Sequence, residues 1–469
     1  MLVDAIVLLT ILAIPLRIVR YGYLPILDDP PADAAKAVSG RPWSDILILK
    51  DYYTLDPHLG WHALLRQIYL VAHSTPDVLV RFSVVILFVV TGLSALPWLK
   101  RPEAWLATLI LVAGVGTNLM GRFMMGRPFL ISLSVLLTIL FLWHVRGASA
   151  PDWRIGAALT GLIAIAVLMH GAWYLWALLI AAFVLAGEYQ WGRLLAVSWI
   201  AGMLLGALFT GHPFGYLMQE ARMATDAFTS HAMQRTLVSE FRPTPGNLFG
   251  LLLIGSVVVM RRSRGCTDRP LTANPAFWLA CLGWVLGYKA TRFWDDWGVP
   301  AVMVLITIEI QSLLEARVTP DSMKRLALTA GLAATAFLTT TNDVDSRWTF
   351  NLGTPYVMQN DPQLVGWLPD PGGVFYDADM AFFYQTFFKN PDADWKYVVG
   401  FEPGMMPNAD FATYQNILLT GGSDPRAYQP WVAKMRPQDR LAIRSAGAAP
   451  NIPQLEWKYA DGLWIGRRK

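Results

Sequence analysis

The chain has 469 residues, of which 54% are hydrophobic and only 15% charged, well below the quarter or so usual in soluble domains. Its net charge of +4 is spread out with no basic block, which argues against a nucleic-acid-binding surface. The two cysteines, Cys266 and Cys281, exclude a disulfide framework or a four-thiolate metal site.

A helix crossing about 30 Å of hydrocarbon needs roughly 20 apolar residues. Runs that meet or approach this length are 2–21, 78–98, 104–120, 128–145, 155–169, 172–187, 192–210, 247–260, 276–290, 298–314 and 326–341, eleven in all. The first lacks a basic n-region and a small-residue cleavage site, so it reads as a retained helix. His170-Gly171 divides 155–187 into two crossings, and His170 reads as a packed, hydrogen-bonded histidine. The fold class expected is mainly α: a polytopic transmembrane domain over 1–341 and a small α/β domain over 342–469.

Orientation follows from lysine and arginine in the short loops. With a cytoplasmic N-terminus, the inside loops hold Lys100, Arg101, Arg146, Arg154, Arg193, Arg261 and Arg262 among others, and the short outside loops only Arg122, Arg127 and Arg292. Loops 22–77 and 211–246 and the tail then lie outside the cytoplasm, as expected for a plasma (bacterial inner) membrane protein. No GxxxxGK[ST] and no GxGxxG after a strand is present, so nucleotide-driven transport by this chain is not expected.

Within the first outer loop, one short helix is predicted from Pro30 to about Val38, behind the acidic pair Asp28-Asp29. A second is predicted from Pro57 to about His73 with Asp56 as its N-cap. His58, His62, Arg66, Tyr69 and His73 recur at steps of 4, 4, 3 and 4 on that second helix, one polar stripe on a membrane-surface helix. His58 and His62 at i, i+4 suit a divalent metal, but no third ligand is evident from sequence. Of the acidic pair, one aspartate is expected to cap the helix and the other to be available for chemistry.

Further on, Arg122 and Arg127 lie in a tight loop between two spans. Lys289 and Arg292 lie in another, where Asp295 and Asp296 compete for the arginine. Both loops open on the same side as Asp28 and Asp29. In the tail, 374–376 and 397–399 read as buried strands, and 378–389 and 408–418 as helices. Asp461-Gly462, between two alternating runs, reads as a hairpin turn.

Leu27-Asp28-Asp29-Pro30 after a first span, Asp56-Pro57-His58-Leu59-Gly60-Trp61-His62 opening a later helix, Gly126-Arg127-Pro128-Phe129 and Met169-His170-Gly171 together resemble the GT-C superfamily. These are polytopic glycosyltransferases that use polyprenyl-phosphate-linked sugars, including protein mannosyltransferase and aminoarabinose transferase types. The resemblance implies a lipid-linked sugar donor, a glycan, lipid or protein acceptor outside the cytoplasm, and a catalytic aspartate at Asp28 or Asp29. Substrate contacts are then expected from Asp56, His58, His62, Arg66, Arg122, Arg127, Lys289 and Arg292. The chemistry agrees: an attacking hydroxyl needs a carboxylate base, and a departing lipid phosphate needs fixed cations, which arginine supplies bidentately. No cofactor is required by this reading, although a divalent metal is compatible with it. The alternative is a non-enzymatic membrane subunit of an envelope complex whose tail docks a partner protein.

Overall fold

The computed structural model describes the chain except residues 22–28, 116, 148, 150, 230–241, 244–246, 264–269, 321 and 446. It is mainly helical (68%) with a five-stranded sheet at the C-terminus. Two compact units emerge: Met1–Pro25, Arg81–Leu217 and Glu240–Thr349 form one, and Ile26–Val80, Met218–Ser239 and Phe350–Lys469 form the other.

The first unit is built of apolar helices, beginning with α1 (Leu2–Ile18). Among the described residues, six helices are long and apolar enough to cross a membrane: Leu2–Tyr21, Pro76–Trp98, Phe129–Arg146, Trp153–His170, Tyr189–Leu208 and Thr291–Arg317. These are fewer than the eleven runs expected from the sequence. Three of the remaining runs fold as shorter helices, Glu103–Gly114, Trp173–Leu185 and Pro275–Gly287. Asn247–Ser263 has 17 residues and ends in Arg261-Arg262, and Met323–Thr341 opens on Lys324-Arg325 and closes on three threonines. Apolar composition without sufficient length, or the reverse, accounts for the difference.

Small residues set the closest helix contacts. Gly202 and Gly206 let the Tyr189–Leu208 helix lie against the backbone of Trp153–His170, where an added Cβ would stand 2.8 Å from the Thr160 carbonyl oxygen and 2.6 Å from that of Ala164. This is the G-x-x-x-G device, which brings helix backbones together where water supplies no hydrophobic drive. Polar groups inside the unit find one another: Thr108 with Thr307 at 2.8 Å, Thr91 with Ser134 at 3.0 Å, and the fully buried Glu103 with the Arg325 guanidinium at 2.7 and 3.0 Å.

One irregularity matters for the site. Between Thr291–Phe293 and the Val299–Arg317 helix, Trp294–Gly298 winds as a π-helix. The wider turn shifts the side-chain register by one position, a distortion common at functional sites. Gly298 sits against Gly283, where a Cβ would meet the Gly298 Cα at 2.6 Å.

The second unit joins the first loop to the tail. Strands β1 (Gly373–Tyr376), β2 (Trp395–Tyr397), β3 (Arg440–Arg444), β4 (Leu455–Ala460) and β5 (Leu463–Arg468) lie in the order β2-β1-β3-β5-β4. β1 pairs parallel with β2 and β3, while β5 pairs antiparallel with β3 and β4. The expected hairpin is β4–β5, turning at Asp461 and Gly462 with φ of 48° and 84°, the positive-φ pair that a type I′ turn requires. The helices Met380–Lys389 and Asn408–Leu419 fall close to the expected ranges.

From the loop come α2 (Asp29–Ser39), the short α3 (Trp43–Ile46) and α4 (Leu59–Ala72). Ala32, Ala35, Trp43, Ile46 and Leu47 share one core with Phe375, Phe383, Phe387, Trp395 and Tyr397 of the tail. The backbone follows: Ile48 N–H donates to Tyr397 O at 2.9 Å and Lys50 N–H to Met405 O at 2.8 Å. Gln219 fixes the end of this stretch, its Oε1 accepting from Thr54 and Leu55 N–H at 3.1 and 3.0 Å.

Candidate functional site

Chemistry-bearing residues gather in two places, one in each unit. In the second unit, α2 and α4 pack together and bury Asp33 and His62, 2% and 5% exposed. His62 lies between two carboxylates, with Nδ1 2.7 Å from Asp56 Oδ2 and Nε2 2.8 Å from Asp33 Oδ1. Burial works against its charge, but Asp56 first and then Asp33 outweigh it and raise the imidazole to about 9. Burial likewise opposes ionisation of Asp33 and Asp56, yet the neighbouring His62 holds both carboxyls below the ordinary range. At neutral pH the geometry therefore favours an imidazolium donating to both acids.

Lys36 stands 3.8 Å from Asp56 and lies near the Trp43 ring, whose edge meets His62. His58 Nδ1 is 3.9 Å from Asp33 Oδ1. Asp33, His58 and His62 each offer one ligand atom, all within 4.8 Å of one another. The third metal-compatible group that the sequence did not reveal is thus Asp33. The available signal was its spacing: Asp33 follows Asp29 by four residues, so both lie on one face of α2.

The rest of the stripe has structural partners. Asp56 does not cap α4 directly; its Oδ1 accepts from the backbone N–H of His58, which is the N-cap residue. Arg66 closes α2, its guanidinium donating to Ala37 O at 2.9 Å and to Val38 O. Gly40, at φ +64°, lies under that guanidinium, where a Cβ would come within 3.1 Å. The stripe through Arg66 therefore packs on α2, and only its end, His73, is exposed. Asp29 is buried and accepts a hydrogen bond from Tyr384 Oη at 3.1 Å. Asp28 lies outside the described residues.

The first unit holds the second cluster. Asp296, carried inward on the π-turn and 7% exposed, accepts Arg122 Nε at 3.1 Å on Oδ1, with Arg122 Nη2 also on that oxygen. Its Oδ2 accepts Arg292 Nε at 3.2 Å. Arg292 Nη2 reaches His170 Nε2 at 3.3 Å, and His170 Nδ1 lies 3.4 Å from Ser132 Oγ. His170, Ser132 and Asp296 line a small cavity with Phe129, Leu136 and Trp297.

Of the other cations, Arg127 is half-buried in the turn opened by Gly126, whose φ is +72°. Lys289 is exposed beyond the Pro275–Gly287 helix. The sequence brought Arg122 and Arg292 forward separately; the π-turn that unites them on Asp296 has no signature in the apolar pattern. No protein-family model matches the chain, and no curated protein sequence does.

Proposed function

We propose that the protein is an integral-membrane glycosyltransferase moving a sugar from a polyprenyl-phosphate-linked donor to an acceptor outside the cytoplasm. The observation that carries this reading is the Arg122–Asp296–Arg292–His170 cluster, buried except for the half-buried Arg292, in a unit of membrane-length helices. Ionisable groups within an apolar helical unit are costly and mark functional sites. Arginine suits a lipid phosphate, because its planar fork binds phosphate oxygens bidentately. In the reaction, the acceptor oxygen forms a bond to the sugar C1 as the C1–O bond to phosphate breaks. The hydroxyl proton passes to Asp28 or Asp29, and the bonding pair leaves on the phosphate oxygen, whose growing charge Arg122, Arg127 and Arg292 stabilise.

The GT-C architecture belongs to the same proposal. Counting Glu103–Gly114, Trp173–Leu185, Asn247–Ser263, Pro275–Gly287 and Met323–Thr341 as crossings beside the six long helices gives eleven. The excess of arginine and lysine in alternate short loops supports a cytoplasmic N-terminus and an external tail.

The test is transfer of radiolabelled sugar from polyprenyl-phosphate donors in membranes carrying wild type, Asp29→Asn, Asp28→Asn/Asp29→Asn or Arg292→Gln. Loss of transfer in the double aspartate variant, with normal membrane insertion, is expected. Full activity in that variant removes the proposed base. A copurifying partner together with no transfer from any donor favours the subunit alternative.

A further inference from the structure

We propose that Asp33, His58 and His62 form a binding site for a divalent transition metal such as Zn²⁺, with Asp56 as the carboxylate that orients His62. The inference stands apart from the transferase reading, because it concerns binding and not turnover.

Donor chemistry comes first. Two imidazoles and one carboxylate are a set that zinc and its neighbours accept, and three protein ligands leave a fourth position open. The spacing is of the right order. Ligands about 2.1 Å from a tetrahedral metal lie about 3.4 Å apart. Here His62 Nε2 and Asp33 Oδ1 are 2.8 Å apart, His58 Nδ1 and Asp33 Oδ1 3.9 Å, and all three ligand atoms lie within 4.8 Å of one another. Small side-chain rotations bring such a set onto one ion.

Two further observations point to a ligand. Asp33 Oδ2 is buried and has no hydrogen-bond partner among the described residues, an arrangement that a buried carboxylate rarely tolerates. A metal held by Asp33 supplies the partner that this oxygen lacks. The second is the Asp56–His62 contact of 2.7 Å at Nδ1. Metal-bound histidines almost always donate their other ring N–H to a carboxylate or carbonyl, which fixes the tautomer and turns Nε2 toward the ion. His62 is set in that way, with Asp56 itself held by the His58 backbone N–H and by Lys36.

The experiment uses the full-length protein purified in detergent, stripped with a chelator and titrated with Zn²⁺, then with Co²⁺. One equivalent per chain is expected, with visible d–d absorption from bound Co²⁺. His58→Gln and Asp33→Asn are expected to lose at least tenfold in affinity, and Asp56→Asn between 10- and 100-fold. His58 is the least buried of the three, so His58→Gln decides the matter if Asp33→Asn fails to fold, as judged by its elution profile. Substoichiometric uptake by wild type, or unchanged affinity in a well-folded His58→Gln, overturns the proposal.

Discussion

Replacing Asp296 by Asn removes one charge with almost no change of shape. In the wild type, Oδ1 accepts two N–H groups of Arg122 and Oδ2 accepts Arg292 Nε. Asn keeps one acceptor and turns an NH₂ donor toward a guanidinium, so one arginine meets a donor where it had a carboxylate. Removing one partner from a buried ion pair costs about 3–5 kcal/mol. At an unfolding entropy near 2.1 cal/mol/K per residue, a helical unit of about 270 residues loses roughly 5–9 °C in Tm. The assay is thermal unfolding in detergent, followed by static light scattering and intrinsic tryptophan fluorescence. A double-mutant cycle adds the decisive control: Arg122→Met with Asp296→Leu is expected to cost less than the sum of the single changes by at least about 1 kcal/mol. A Tm for Asp296→Asn within about 1 °C of wild type, or strictly additive costs, refutes the clamp.

Gly206→Ala places a methyl group 2.6 Å from the Ala164 carbonyl oxygen, and the overpacking is expected to cost about 1–3 kcal/mol, read as a lower Tm in detergent; a neutral effect means that the two helices do not touch there. Arg66→Ala uncaps α2 and loses charge-assisted bonds on the order of 1.5–3 kcal/mol, so limited proteolysis of the first loop is expected to accelerate. Asp377, buried beyond β1, has its carboxyl raised well above the ordinary value by burial and then by Asp379. Its folded form keeps a proton that the unfolded chain releases near pH 4, so wild-type stability falls as pH rises from that point toward the folded pKa. Asp377→Asn keeps the Oδ1 acceptor used by Asp379 N–H and lacks this loss. The variant is therefore expected to match wild type in acid and to exceed it at neutral pH, and parallel melting curves across that range contradict the assignment.

Local signals carried much of the architecture. Asp461-Gly462 announced β4–β5 because positive φ at both turn positions is a property of two adjacent residues. The helix at Asp29–Ser39 was legible from its flanking Pro-Pro and Ser-Gly. Helix length was less so, since composition locates an apolar run but caps and partners decide where it stops, as at Pro275–Gly287. The sites were half legible. His58 and His62 showed their common face through a spacing of four, whereas Asp33 joins them from 29 residues away, a pairing that only the packing of α2 on α4 creates. Likewise Arg292 and Asp296 are neighbours in sequence, but Arg122 arrives from 174 residues away. The stripe on α4 looked interfacial because a polar face is the same pattern whether it meets headgroups or another helix.

The shared core of the first loop and the tail sets the order in which this molecule can mature. Trp43, Ile46 and Leu47 leave the ribosome early, yet their partners Phe375, Phe383 and Tyr397 come last. At 5–20 residues per second, the roughly 330 residues between Leu47 and Phe375 take about 16–65 s to synthesise. Throughout that interval the loop's apolar groups have no tail to fold onto. Assembly of this unit is thus a post-translational event, and a nascent chain stalled before its last hundred residues presents an adhesive, chaperone-dependent surface at its N-terminal end.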